Sequence, residues 1–311
     1  MLDSLSRALF VTLAGSATIR RLASRYGMRE GGFARRFIAG ETLEDAVATA
    51  ARLSREGMLC TFNYLGESVT SSDAARAAAE TYADMMRTIS DTGLSCQVSV
   101  KLTQLGLAID TAECGTNLRH VLDAAGDRCF VRVDMEQSAW VGPTLDLVDH
   151  LWQLGYRNVG VVLQAYLRRT EQDLAWINTL GAGVRLCKGA YREDATVAYP
   201  RKADVNAAFV RLMRALMDEG AYPAVATHDP TMIDTTRAYA GERGVSASAF
   251  EFQMLYGVRR DIQASLREEG YRVRVYLPFG REWFPYFMRR LGERPANVLF
   301  VLRSLFHERR S

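Results

Sequence analysis

Residues 130–164 read FVRVDMEQSAWVGPTLDLVDHLWQLGYRNVGVVLQ. Two short runs rich in β-branched residues, Phe130 to Asp134 and Val159 to Gln164, flank a stretch, Leu145 to Leu154, whose apolar residues recur at three- and four-residue steps. Strand, helix and strand in that order form one unit of a parallel sheet. Parallel strands need a crossover connection, and a helix of that period carries one apolar stripe to lay upon them. Both runs end on a polar side chain, Asp134 and Gln164, where an apolar strand meets its loop.

The same alternation runs outward in both directions. The strand candidates are Leu59 to Tyr64, Gln97 to Lys101, Phe130 to Asp134, Val159 to Gln164, Val184 to Lys188, Pro223 to Thr227, Phe250 to Leu255 and Val273 to Leu277. Helical period returns over Asp73 to Ile89, Val205 to Met217 and Asp261 to Glu269. Eight such strands with intervening helices, within roughly 250 residues, fit a closed (β/α)8 barrel, a TIM-like α/β fold, better than an open doubly wound sheet. Residues 1–57 are then an N-terminal helical arm, in which Leu43, Ala46, Val47, Ala50 and Leu53 mark one packed helix. Residues 58–311 are the barrel, a single catalytic domain with extra helices at its C-terminal end. No Pro/Gly linker or low-complexity tract breaks the chain, so no second domain is expected.

Composition narrows the function classes. The chain has 311 residues and 48% hydrophobic content, enough to bury a full core. With 39 basic and 36 acidic residues the net charge is +3, which leaves no whole-protein field for nucleic acid. The five cysteines, Cys60, Cys96, Cys114, Cys129 and Cys187, form no CxxC pair and read as buried thiols in a reducing compartment. The four histidines, His120, His150, His228 and His307, show no HxH or HExxH spacing, so no metal is expected. No apolar run reaches the roughly 18 residues of a membrane span, and Asp3 and Arg7 make the N-terminus a poor secretory signal. A cytoplasmic location follows. Residues 1–40 nevertheless carry Arg7, Arg20, Arg21, Arg25, Arg29, Arg35 and Arg36 against only Asp3 and Glu30, beside apolar Leu9, Phe10 and Val11. That stretch suits either a peripheral contact with the anionic inner face of the membrane or a solvated helix on the barrel's outside.

The fold says where chemistry should sit, because barrel enzymes work at the C-terminal ends of their strands. Lys101, Asp134, Gln164, Arg185, Lys188, Thr227 and His228 all fall there. One polar strand end is ordinary solvation. Five strands ending that way point to a site. After the last strand, REWFPYFMRRLGE (Arg281 to Glu293) places Tyr286, Arg289, Arg290 and Glu293 on one helical face. Two adjacent guanidiniums there suit a planar carboxylate, since each presents paired donors to its two oxygens.

The Tyr286, Arg289, Arg290, Glu293 pattern resembles the last-helix signature of the proline dehydrogenases. Similar family patterns occur in order as LGES (Leu65 to Ser68), SVKLTQLG (Ser99 to Gly106), VRVDME (Val131 to Glu136), VVLQAYLRRT (Val161 to Thr170), VRLCKGAYRED (Val184 to Asp194), ATHDP (Ala226 to Pro230), EFQMLYG (Glu251 to Gly257) and VYLPFG (Val275 to Gly280). The likeness spans residue 58 to the C-terminus; the first 40 residues show none. It implies the monofunctional form of the family, without a fused aldehyde dehydrogenase.

The resemblance implies FAD-dependent oxidation of L-proline to Δ1-pyrroline-5-carboxylate. Hydride passes from the ring carbon next to nitrogen to flavin N5, and the electrons later reach a membrane quinone. A separate pyrroline-5-carboxylate dehydrogenase would take the product. By the same resemblance Arg289, Arg290 and Lys101 pin the substrate carboxylate, with Glu293 and Asp134 as countercharges. Leu255, Tyr276 and Tyr286, with Ala190 and Tyr191, wall the pyrrolidine ring. Arg185 lies near flavin N5 and acts with Asp134 in catalysis. Met135 touches the isoalloxazine, Gln164 meets the pyrimidine edge, and Lys188, Gly189, Ala190 and Tyr191 surround the ribityl and phosphate chain. Thr227 and His228 reach the nucleotide half. No GxGxxG motif is present, which fits a flavin held in a barrel mouth rather than in a Rossmann domain.

One departure stands out. Bifunctional relatives follow KGAY with tryptophan, whereas here Arg192 follows Tyr191, making that loop more polar. Taken without the resemblance, the residues leave two other functions open. One is a lyase or aldolase forming a Schiff base on Lys101 or Lys188. The other is a non-catalytic barrel that binds an amino acid.

Overall fold

A computed structural model describes residues 27–28, 32–66 and 68–293, apart from the side chains of Phe33, Arg289 and 291–293. Most of the arginine-rich segment, and any helices after residue 293, lie outside the described residues.

Eight strands, β1 (Leu59–Tyr64), β2 (Cys96–Lys101), β3 (Cys129–Asp134), β4 (Val159–Gln164), β5 (Val184–Cys187), β6 (Pro223–Ala226), β7 (Glu251–Leu255) and β8 (Arg272–Phe279), close a barrel in chain order. Every pairing is parallel, and β8 closes onto β1. The helices are α1 (Leu43–Arg55), α2 (Ser72–Asp91), α3 (Thr111–Ala125), α4 (Val141–Gln153), α5 (Thr170–Leu180), α6 (Lys202–Glu219), α7 (Pro230–Glu242), α8 (Arg260–Glu268) and α9 (Trp283–Glu293). The closed α/β barrel is the fold expected from the strand count.

Local chemistry starts several helices where the strand loops end. Thr42, Ser71 and Asp110 each accept a hydrogen bond from a first-turn amide of α1, α2 and α3, satisfying donors the helix leaves free. Asp229 does the same for α7, with Pro230 supplying a φ suited to the first turn. The main core lies between strands and helices, where Phe62, Val98, Val131, Val161, Leu186, Phe252 and Leu277 are buried against residues such as Tyr82, Leu118, Leu145, Ile177 and Phe209.

The barrel interior is different. In-register parallel neighbours face the same side, so the pairings align Ser99, Arg132 and Gly160 on one side of the barrel and Val162, Arg185, Ala224, Glu251 and Arg272 on the other, with Asp134, Gln253 and Arg274 one inward position further along their strands. Branched apolar residues usually fill this space, yet here Arg132, Arg185, Glu251, Gln253 and Arg274 are all buried within it. Gly160 makes room: a Cβ there would meet the Gly183 carbonyl and lie 2.8 Å from the Arg132 guanidinium. Arg132 donates to the Val161 carbonyl at 3.1 Å and to the Gly183 carbonyl. Burial, with the nearby Arg185 charge, lowers its pKa to about 9.

The cysteines need a correction. Cys96 and Cys129 are not free thiols but form a disulfide between the first residues of β2 and β3. Register sets them opposite one another, which their 33-residue separation in sequence does not reveal. The cysteines therefore no longer argue for a reducing compartment. Cys60 and Cys114 remain buried thiols, each pushed up to about 12 by burial, and Cys187 is pushed up to about 11.

Residues before the barrel pack on its last helix. Ala34, Phe37 and Ile38 share a second apolar cluster with Trp283, Phe284 and Phe287 of α9, and Trp283 Nε1 donates to Glu41 at 2.9 Å. Arg35, one of the seven arginines in the first 40 residues, pairs internally with Asp45 at 3.4 Å.

Candidate active site at the barrel mouth

Asp134 ends β3 among groups from three other strands. Arg185 Nη1 of β5 donates to its Oδ1 at 2.7 Å, and the Tyr276 hydroxyl of β8 donates to its Oδ2 at 2.6 Å. Lys101, opposite it on β2, holds its Nζ 4.0 Å away. Arg185 also donates from Nη2 to Ser99 at 3.2 Å and from Nε to Gln253, and lies 5.2 Å over the Tyr276 ring. Burial pushes the Tyr276 phenol well above its ordinary value, and the Asp134 charge adds to the push. Tyr276 thus stays a hydrogen-bond donor. One carboxylate faces two cations here, so the mouth favours an anionic guest.

The last helix stands beside this centre. Tyr286 is buried, and it too contributes to the rise at Tyr276. Arg290 stacks over the Tyr286 ring at 5.2 Å, one helical turn along. The side chains of Arg289 and Glu293, two members of the expected clamp, lie outside the described residues.

The other strand ends hold a second group of expected residues. Gln164 of β4 donates to the Met135 carbonyl at 3.1 Å and the Glu136 carbonyl at 3.4 Å, while its buried Oε1 has no hydrogen-bond partner among the described residues. Lys188 donates to Asn206 and to Asp229, both at 2.7 Å. Gly189 has φ +108° and sits so close to the Tyr166 ring that a Cβ would overlap it. Ala190 is exposed and Tyr191 half-buried on the same loop. Thr227 is buried, its Oγ1 accepting from the Asp229 amide at 3.1 Å. His228 Nε2 accepts from the amide of Leu255 at 2.8 Å, so the imidazole is tied to the end of β7. Glu193 fastens the β5 loop to the β3 loop by accepting from Ser138 N at 2.7 Å and Ser138 Oγ at 2.5 Å.

Lys101, Asp134, Arg185 and Tyr276 therefore meet in one centre, with Gln164, Lys188, Gly189, Thr227 and His228 on neighbouring strand ends. Ser99 and Gln253, which complete the hydrogen bonding of Arg185, were not singled out from sequence. Gln253 belongs to the alternation of Glu251, Gln253 and Leu255 along EFQMLYG, but only the register shows that these positions face inward.

Comparison with known proteins gives concordant results. The family model described as Proline dehydrogenase matches residues 46–303. Proline dehydrogenase 1 of Bacillus subtilis is 41% identical over 300 residues, covering 96% of this chain and 98% of that protein. Proline dehydrogenase of Deinococcus radiodurans is 39% identical over 310 residues, covering 98% of this chain and 99% of its own. Similarity therefore reaches into the first 40 residues, where motifs alone showed none. Among solved structures, proline utilization A from Bdellovibrio bacteriovorus, inactivated by N-propargylglycine, superposes with a TM-score of 0.78 at 26% identity. The match covers 83% of this chain and 32% of that one, so the chain spans about a third of that longer protein.

Proposed function

Because the chain belongs to the proline dehydrogenase family, we propose that it oxidises L-proline to Δ1-pyrroline-5-carboxylate with FAD as cofactor and a membrane quinone as final electron acceptor. The observation that carries this function is the buried centre in which Lys101, Arg185 and Tyr276 converge on Asp134.

The residues fit a flavin. Gln164 leaves a buried acceptor oxygen without a partner, a costly arrangement unless a donor from a bound molecule completes it, and a ring N–H on the flavin's pyrimidine edge is such a donor. Met135 lies beside that amide, while Lys188, Gly189, Ala190 and Tyr191 would line the ribityl and phosphate chain, and Thr227 and His228 the nucleotide half. FAD, when bound, supplies the two-electron acceptor for hydride leaving the ring carbon next to nitrogen.

The protein's own part is binding and orientation. Lys101, Arg289 and Arg290 would grip the substrate carboxylate with charge-assisted hydrogen bonds, and Glu293 would hold the arginine pair in place. Leu255, Tyr276 and Tyr286 close an apolar wall that excludes water from the reacting carbon. Asp134, paired with Arg185 in catalysis, fixes two neighbours at once, anchoring the Tyr276 hydroxyl and directing Arg185. The Arg185 charge favours build-up of negative charge on its guest without moving a proton. A Schiff-base lyase has less support, because Lys101 and Lys188 are both committed to ion pairs, with Asp134 and Asp229.

Among the described residues no helix is long and apolar enough to cross a membrane. We place a peripheral membrane contact at the arginine-rich residues 1–40 and assign the product to a separate pyrroline-5-carboxylate dehydrogenase. Anaerobic titration with L-proline tests the central step. The purified protein should be yellow and lose its flavin absorbance as proline is added. A colourless protein, or a flavin spectrum unmoved by proline, overturns the proposal.

A further inference from the structure

We propose that Gln253, its amide turned by Glu251, is the positioning residue that aims Arg185 into the mouth. This role rests on the mouth being a flavin-dependent proline-oxidising centre. Arg185 starts on β5 and must span the barrel to reach Asp134 on β3. The inward residues of β6 beside it are only Ala224 and Ala226, in register with Glu251 and Gln253 of β7. The absence of larger side chains there lets Arg185 Nε meet Gln253 Oε1 across β6.

A guanidinium is planar, so fixing its Nε edge as well as its Nη edge sets its direction. Asp134 cannot do this alone, because it also accepts from Tyr276 and faces Lys101. Ser99 holds only the Nη2 end, at 3.2 Å. Gln253 supplies the second edge, provided its amide presents oxygen rather than nitrogen.

Glu251 decides that. Its Oε1 accepts from Gln253 Nε2 and from Arg274 Nε, the latter at 2.8 Å, and its Oε2 accepts from the Tyr222 hydroxyl at 3.1 Å. Arg274 is anchored in turn on the Cys60 carbonyl at 2.9 Å. Burial works to raise the Glu251 pKa, but the charge and hydrogen bond of Arg274, with help from Gln253 and Arg132, hold it below its ordinary value. An ionised carboxylate only accepts. It claims the NH2 end of Gln253 and turns the oxygen towards Arg185. Polarity therefore runs from the buried Arg274 and Glu251 pair, through Gln253, to the guanidinium at the mouth.

The test is a double-mutant cycle in the flavin-loaded protein. Gln253→Met keeps the side-chain length and removes both hydrogen bonds. It should slow flavin reduction at saturating proline by about tenfold. It should also shift the flavin midpoint potential in the same direction as Arg185→Met, with the KM for proline little changed. Adding Gln253→Met to Arg185→Met should change neither readout further. Glu251→Gln, which frees the amide to turn, should give a smaller loss in both and serves if Gln253→Met does not fold. Unchanged rate and potential in the single variants, or additive effects in the double variant, overturn the positioning role while leaving proline oxidation standing. A potential that does not respond to Arg185→Met likewise overturns the positioning role alone, whereas a flavin that proline does not reduce in the parent protein overturns proline oxidation itself.

Discussion

Arg185 joins three partners on three strands, so its loss should be felt in the chemical step more than in binding. Arg185→Met removes a donor and a positive charge beside the reacting centre. A charge-assisted hydrogen bond felt mainly in the transition state predicts a kcat drop of about tenfold to a hundredfold. Rapid-mixing measurement of flavin reduction checks this, and a normal rate would remove Arg185 from the centre. Arg290 should behave oppositely. Arg290→Met should raise the proline KM by roughly tenfold to a hundredfold, the loss of about 1.5 to 3 kcal/mol of carboxylate binding, with FAD content retained; unchanged proline affinity would remove it from the clamp. Lys101 and Asp134 were legible in sequence because each ends an apolar run, and Arg185 and Tyr276 because they lie inside VRLCKGAYRED and VYLPFG, which carry the family resemblance. Arg132, Glu251, Gln253 and Arg274 were not, since a polar residue at every second position of a short strand reads as an outward face until the register shows it pointing in.

At the scale of elements, the strands were legible to within two residues at either end, because β-branched runs bounded by turns are a strong local signal. The Cys96 to Cys129 pairing was not, because it depends on the β2 and β3 register. That polar interior makes two predictions. Gly160→Ala on β4 should destabilise the fold by about 1 to 3 kcal/mol, as for an overpacked core, because its methyl would enter the space of the Gly183 carbonyl and Arg132. A denaturant midpoint equal to that of the parent protein would contradict that packing. Glu251 on β7 sets a pH dependence. Its pKa is lowered in the fold, so the folded chain takes up that proton less readily than the unfolded one. The stabilisation is complete above the ordinary glutamate value and is lost as pH falls through the lower, folded value. Thermal unfolding followed from about pH 7 to about pH 3 should show a shallower acid-side decline in Glu251→Gln than in the parent. Parallel curves would mean the carboxylate is not held ionised.

For the molecule as a whole, counting strands and helical crossovers was enough to foresee closure, because eight βα units of this length have few other ways to cover both faces of a parallel sheet. How the residues before the barrel meet its end was not foreseeable. The contact of Phe37 and Ile38 with Trp283 and Phe287 joins segments near opposite ends of the chain. Closure brings Lys101, Asp134, Arg185 and Tyr276 from β2, β3, β5 and β8 into one buried centre, and the proposed oxidation depends on hydride leaving one particular ring carbon there. The direct measurement is the rate of flavin bleaching with L-proline carrying deuterium on the ring carbon next to nitrogen, against unlabelled proline, without oxygen. The proposal expects bleaching to slow several-fold with the label there and to be unaffected by deuterium on the other ring carbons. Equal rates with either label, or no bleaching at all, would contradict it.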